Sequence, residues 1–253
     1  MDWQCKNWDL EDQLYYPKRR VNNKMSRKIK HIIGGFYSQK MNRTVEYESL
    51  SERLFYYYLE LDPLTIRYYV QPVEVPVSFQ TSTGELKNWN HIPDVLVFRQ
   101  DSNPLLFQVK YDPGQTSAAF ERNNNACKSY AEKYDWDYQV IYPSQLPRSL
   151  SRNIRFLKSY LAPRNYYKDW IPLVRYRLEC LKKSTISDLA DSFRYQMDPL
   201  ALLPLIYYLV AHGVFHVNVK QEIGRDSEVS INTVASDYFK FLGESGDNVA
   251  QSN

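Results

Sequence analysis

Apolar residues change their spacing several times along the chain, and each change marks an element. The first 43 residues are polar and weakly periodic, which predicts an arm with at most short helical pieces. From Ser49 the spacing becomes helical. Leu50, Leu54, Tyr57, Tyr58 and Leu61 repeat at turn intervals, Ser49 stands where a cap belongs with Glu52 three residues later, and Asp62-Pro63 marks the stop. Two runs rich in β-branched and aromatic residues follow, Ile66 to Val70 and Val73 to Phe79, then a turn at Thr83-Gly84 and a run from Asp94 to Arg99. After a turn at Ser102-Asn103-Pro104 comes the apolar strand Leu105 to Lys110. Residues 117–134 then read as a helix and Tyr138 to Tyr142 as a further strand. Helix, several strands, helix, strand describes an α/β core with a mixed sheet.

A second pattern begins after the helical stretch Ile154 to Tyr160 and the breaker Pro163. Its helices are Trp170 to Lys183, Ile186 to Phe193 and Pro199 to His212, with Gly213 placed to end the third. Val214 to Val219 and Val229 to Val234 read as two strands around the turn Gly224-Arg225-Asp226. Three helices plus a strand pair fit a winged-helix-like domain, with short all-helical alternatives open. The expected organisation is a basic N-terminal arm (1–43), an α/β domain (44–162) and a smaller C-terminal interaction domain (166–241). A length of 253 residues agrees with more than one compact unit.

Composition narrows the class. Hydrophobic residues at 43% and charged residues at 24% are the balance of a globular protein. No apolar run approaches the roughly 20 residues that span a bilayer, and Met1-Asp2-Trp3-Gln4 does not open a basic-then-apolar leader, so a cytoplasmic location is expected. Cys5, Cys127 and Cys180 are odd in number and far apart, which predicts ordinary thiols rather than disulfides or a zinc site. The formal net charge of +3 is small but unevenly placed. Lys18, Arg19, Arg20, Lys24, Arg27, Lys28 and Lys30 fall in one stretch without an acidic residue, followed by Lys40 and Arg43. Such a stretch is either a solvated arm or an arm that binds DNA phosphates.

Candidate chemistry centres on two strands. Pro93-Asp94 opens one apolar run and Phe107-Gln108-Val109-Lys110 closes another, the shape of a PD-(D/E)xK nuclease site. In such a site Asp94 supplies a hard oxygen for Mg²⁺ or Mn²⁺, and strand alternation points Gln108 and Lys110 to one face while Val109 turns to the core. Phosphodiester hydrolysis needs charge neutralised at the attacked phosphate and a cation to orient the water, a role that suits Lys110. Gln108 can offer an amide oxygen and Val109 its carbonyl. Glu52, early on the preceding helix, is either a third ligand or a capping-box carboxylate. His91 is either a polar residue at a strand start or a side chain that touches substrate or metal.

Taken together, these residues resemble a known family. Gly35-Phe36-Tyr37-Ser38-Gln39-Lys40, Arg43, Val45, Glu48-Ser49-Leu50-Ser51-Glu52-Arg53-Leu54-Phe55, Leu61-Asp62-Pro63, Gln71-Pro72-Val73, Pro93-Asp94 and Phe107-Gln108-Val109-Lys110 occur in the order found in TnsA. TnsA is the endonuclease subunit of a heteromeric bacterial transposase. The resemblance spans residues from about 30 to 145, and Gln-x-Lys in place of Glu-x-Lys is itself a mark of the family. It implies a restriction-endonuclease-like core with Glu52 and Asp94 as metal-binding acids, Gln108 as the metal-site amide and Lys110 as the catalytic lysine. It also implies cleavage of the strand carrying the 5′ terminus at each transposon end, with a DDE subunit, TnsB, cutting the other. An AAA+ regulator, TnsC, is the implied partner of the C-terminal segment. Pro199 to His212, in the recognition-helix position, contains no Lys or Arg, which suits protein contacts or core packing better than DNA reading. The motif chemistry alone also allows a restriction, repair or junction-resolving nuclease, or a non-catalytic DNA-binding adaptor.

Overall fold

Four consecutive buried residues, Val95, Leu96, Val97 and Phe98, lie on an inner strand of the largest sheet among the described residues. A strand buried on both faces has no reason to alternate, and this one does not. The computed structural model describes residues 2–19, 32–114 and 116–232. Its described residues fall into two compact units, one of residues up to Phe55 with Leu64–Gln145, the other of Tyr56–Pro63 with residues from 146 onward. No described helix is long and apolar enough to cross a membrane.

In the first unit a short helix α1 (Asp9–Leu14) precedes the hairpin β1 (Gly34–Ser38) and β2 (Arg43–Tyr47). Helix α2 (Leu50–Leu61) follows, beginning in this unit and ending in the other. Then come β3 (Thr65–Val70), the hairpin β4 (Val75–Gln80) and β5 (Leu86–His91), β6 (Val95–Arg99), β7 (Leu105–Val109), α3 (Ala118–Lys133) and β8 (Asp137–Ile141). The main sheet runs β3-β6-β7-β8, antiparallel except for the parallel pair β7 and β8. It is the mixed sheet that the order of elements predicts. Helix α3 is the crossover that a parallel pair requires, and Ser117 caps it by accepting from the Phe120 N–H at 3.1 Å.

The β1-β2 hairpin and strand β5 were not legible as strands. Phe36, Val45 and Tyr47 alternate inward, but the hairpin lies in a stretch whose basic residues mask its period. Strand β5 reads Leu-Lys-Asn-Trp-Asn-His, with only Trp89 to signal a sheet, and is held by full pairing to β4 and by Trp89 donating to Asn123 of α3 at 3.0 Å. Residues before Pro17 pack rather than trail. Trp3, Trp8, Tyr15 and Tyr69 surround Phe98, and Asp12 bridges Arg67 and the Tyr69 hydroxyl. Arg20, Lys24, Arg27, Lys28 and Lys30 lie outside the described residues.

The second unit holds α4 (Arg148–Lys158), α5 (Tyr167–Leu181), β9 (Lys183–Thr185), α6 (Ile186–Asp191), α7 (Pro199–Ala211), β10 (Phe215–Val217) and β11 (Glu228–Ile231). Its sheet has three strands, order β10-β11-β9, all antiparallel. The third strand was hidden because residues 183–185 follow a helix directly, with Lys182 taking a positive φ of 64° to turn the chain. Helix α4 starts at Arg148 rather than Ile154, since its first turn is polar outside and only Leu150 signals the buried face. Helix α7 supplies much of the core through Leu202, Leu205, Ile206, Leu209 and Val210, and Gly213 at φ +69° ends it. Asn153, buried in this unit, donates to the carbonyls of Val219 and Gln221 and accepts from the Ile223 N–H at 2.9 Å.

Candidate functional site

Asp94 stands one residue before β6, with its backbone held on two sides. Its N–H donates to the Phe107 carbonyl at 3.1 Å, and its carbonyl accepts from the Gln71 N–H at 2.8 Å. The side chain is thereby aimed along β7. Its Oδ2 accepts from the Val109 N–H at 2.6 Å and from the side-chain amide of Gln108. Gln108 is buried at 3% exposure, so this is an interior contact that fixes Asp94 against β7. Val109 is buried as alternation predicts, and its N–H serves the site directly.

Glu52 adopts the capping box that Ser49 and Glu52 spell. Ser49 Oγ accepts from the Glu52 N–H at 3.1 Å and donates to Glu52 Oε1 at 2.9 Å, while Glu52 Oε2 accepts from the Glu48 N–H at 2.8 Å. The same carboxylate belongs to the Asp94 cluster. Burial pushes the Asp94 carboxyl up to about 7, and the negative charge of Glu52 adds to that push. Burial likewise raises Glu52, against the hydrogen bonds from Glu48 and Ser49 that oppose it. The capping and site readings of Glu52 are therefore compatible, because one carboxylate occupies both places.

Lys110 follows the last residue of β7, where its N–H donates to the Ile141 carbonyl at 2.9 Å and extends the pairing with β8. Its ammonium lies 5.6 Å from the Phe120 ring centre and close enough to Asp94 to favour the ionised carboxylate. Glu52, Asp94, Gln108 and Lys110 thus share one neighbourhood at the ends of β6 and β7.

Two further residues join them. His91, the last residue of β5, places Nε2 2.8 Å from Gln108 Oε1. Burial lowers its pKa, against the hydrogen bond to Gln108 that raises it, and the charges of Lys110 and Arg19 lower it further. A polar strand such as β5 gives no periodicity from which that position could be read. Arg19 pairs with Glu48 and favours ionised Glu52 and Asp94. Its place beside the acids is invisible in a basic stretch that sets it among many similar residues.

Arg19 and Arg43 line one groove of about 610 Å³ together with Tyr16, Tyr68 and Gln71. The Arg43 guanidinium also lies 5.7 Å from the Tyr69 ring centre. Lys18 donates to the Leu14 carbonyl at 2.8 Å, and half-buried Lys40 donates to the Thr65 carbonyl at 2.5 Å. Cys127 is buried, and its thiol is pushed up to about 12 mainly by that burial, which leaves it no nucleophile at neutral pH.

Among the described residues, no group of three or more His, Cys, Asp or Glu side chains is placed to hold a metal. The cluster instead offers two carboxylates and an amide. An all-oxygen set of that size suits a hard, partly hydrated cation and not zinc. Burial raises both carboxyls, the charge of Glu52 adds to the rise of Asp94 and the charge of Glu48 to that of Glu52, an accumulation of negative charge that a divalent cation would relieve.

Residues 145–219 match the protein family described as TnsA endonuclease C terminal. The comparison with curated proteins gives no match.

Proposed function

We infer, from the premise that this chain is a TnsA-type protein, that it is a Mg²⁺-dependent DNA endonuclease cutting the strand that carries the 5′ end at transposon ends. The observation that carries this reading is the lock between Asp94 and β7, where Gln108 and Val109 hold the carboxylate beside Glu52 and Lys110. On this reading the β3-β6-β7-β8 sheet with α2 and α3 is a PD-(D/E)xK core. The part of the second unit from α5 onward, ordered helix, strand, helix, helix, strand, strand, is a winged-helix-like domain whose apolar α7 serves the core rather than a DNA groove.

Asp94 and Glu52 would hold the cation, with the Gln108 amide oxygen and the Val109 carbonyl as further ligands. When bound, Mg²⁺ supplies charge neutralisation at the scissile phosphate and lowers the pKa of a coordinated water. Lys110 would supply the ammonium that orients that water and offsets negative charge on the phosphate oxygens. Arg19 and Arg43 bind the DNA backbone through the groove they line, joined by the basic residues of 18–30. The DDE subunit TnsB and the AAA+ regulator TnsC are the partners this reading calls for, TnsC on the C-terminal unit.

The test is strand-specific cleavage of DNA carrying the transposon ends, by the full chain with its partner subunits, in Mg²⁺ and in Ca²⁺. Nicking of the 5′-terminal strand in Mg²⁺, lost in Asp94→Ala and Lys110→Ala, is the expected result. Metal-dependent cutting that survives both substitutions would reject this site.

A further inference from the structure

Helix α4 carries four cations, Arg148, Arg152, Arg155 and Lys158, and no acid in its 11 residues. Lys158 lies with its ammonium 5.2 Å from the Tyr57 ring centre, but the three arginines are exposed and share one face of the helix at one-turn intervals. With Phe156, half-buried against Tyr160 and Tyr207, they line a shallow groove of about 560 Å³. The opposite face packs through Leu150, Ile154 and Leu157, and Asn153 ties it to Val219, Gln221 and Ile223. The arginine row is therefore mounted on a fixed helix.

Left alone, such a row costs stability. Like charges one turn apart repel, and Arg148 stands in the first turn, where the helix dipole disfavours a cation and neither an acid nor a capping side chain offsets it. Among the described residues, Arg152 alone of the three has an acidic partner, Glu222 at 3.2 Å in an exposed pair. A polyanion would offset all three charges at once. The row runs about 10 Å along the helix axis, room for roughly two or three phosphates of one DNA strand. Protein partners anchor through apolar side chains in pockets, and this groove offers one half-buried ring, whereas a DNA backbone needs only the charge and the forked guanidinium donors.

We propose that Arg148, Arg152 and Arg155 form a second DNA-backbone contact, on the C-terminal unit, in addition to the groove of Arg19 and Arg43. The inference rests on the reading of this chain as one that acts on DNA, and extends that reading to a helix outside the recognition position. Glu222 then competes with phosphate for Arg152.

The experiment is fluorescence anisotropy of a labelled DNA duplex of arbitrary sequence, titrated with the full-length chain over a range of salt concentrations, beside melting curves. Changing Arg148, Arg152 and Arg155 together to Gln should weaken binding at low salt on the order of 10-fold or more and lower the dependence of log affinity on log salt by roughly 2 to 3. The same change at Arg164, Lys168 and Arg175, exposed cations of the same unit, should leave affinity within about 2-fold of wild type. Glu222→Gln should tighten binding about 2-fold to 5-fold, a gain that disappears when Arg152→Gln is also present. The triple α4 variant should melt no lower than wild type, because the charges it loses repel one another. Equal losses in the two triple variants would reduce the row to net charge, and unchanged binding in the α4 variant would leave its face to solvent or to an acidic protein. Either result overturns the inference, while nicking that depends on Asp94 stands or falls by its own assay. An α4 variant that melts well below wild type, or a wild-type chain that does not bind the duplex, would overturn it as well.

Discussion

The backbone N–H of Val109 donates to the carboxylate of Asp94 across 2.6 Å, so a strand that pairs with β6 through its main chain also holds the acid that precedes β6. Sheet pairing and site geometry are one structure at this point. Asp94 shares its acceptor oxygen between this N–H and the Gln108 amide, and an Asn in its place can still accept both.

That equivalence gives a pH prediction. The Asp94 carboxyl is pushed up to about 7 from 3.8, by burial first and by Glu52 second. A raised acid stabilises the fold fully below its unfolded pKa, and the stabilisation is lost as pH rises through the folded value, because the unfolded chain ionises where the folded one resists. Metal-free wild type should lose on the order of 1–3 kcal/mol of stability between about pH 4 and pH 7 from this group. Melting curves across that range should show the decline in wild type and a shallower one in Asp94→Asn, which should be the more stable protein near pH 8. A variant as pH-sensitive as wild type would place the carboxylate elsewhere.

Glu52 has two roles that one substitution separates. Gln at position 52 keeps the capping box, since its amide oxygen can still accept from the Glu48 N–H while its NH₂ donates to Ser49 Oγ. Glu52→Gln should stay within about 0.5 kcal/mol of wild type in stability while nicking falls by roughly 100-fold. Ser49→Ala should do the reverse, costing about 1 kcal/mol with little effect on nicking at saturating Mg²⁺. Chemical denaturation beside a nicking assay reads both.

These contrasts also show what the sequence revealed and why the rest was hidden. Glu52, readable alone as a cap or as a ligand, joined the site only through the resemblance to TnsA, whereas Asp94, Gln108 and Lys110 drew notice because they punctuate apolar runs. The mixed sheet was legible for the same reason, through the apolar runs of β3, β6 and β7. His91 was open to two readings and could not be placed, because it ends a strand of Asn, Lys and Trp that owes its existence to pairing with β4 rather than to any pattern of its own. Arg19 was named only among many basic residues, and its place beside Glu52 and Asp94 follows from its pairing with Glu48, a contact across 29 positions in sequence. Strand β9 vanished into the end of α5 for want of a breaker between them.

Lys110 lies at the end of β7 with its backbone bonded to Ile141 and its ammonium over Phe120, so its side chain is dispensable to the fold. Lys110→Met keeps the aliphatic stem and removes the charge. It should melt within a few degrees of wild type, bind DNA nearly as well and nick it at least about 100-fold more slowly. Nicking that persists at wild-type rates would deny the ammonium any part in the reaction.

Arg19 and Arg43 line the same groove but differ in their surroundings. Arg19 already pairs with Glu48, whereas Arg43 sits by the Tyr69 ring. If the groove carries DNA, each arginine neutralises about one phosphate, and each Arg→Ala change should lower the dependence of log affinity on log salt by roughly 0.9. Arg43→Ala should show that slope change and little else. Arg19→Ala should add a second effect, because removing its charge leaves Glu48 unpaired and withdraws a cation that favours the ionised forms of Glu52 and Asp94. Nicking by Arg19→Ala should therefore shift its pH dependence upward, whereas that of Arg43→Ala should not move. Measuring both variants by salt titration and by pH profile distinguishes a groove that merely grips the backbone from one whose inner arginine also tunes the acids. Identical behaviour of the two arginines would show that Arg19 acts on DNA alone.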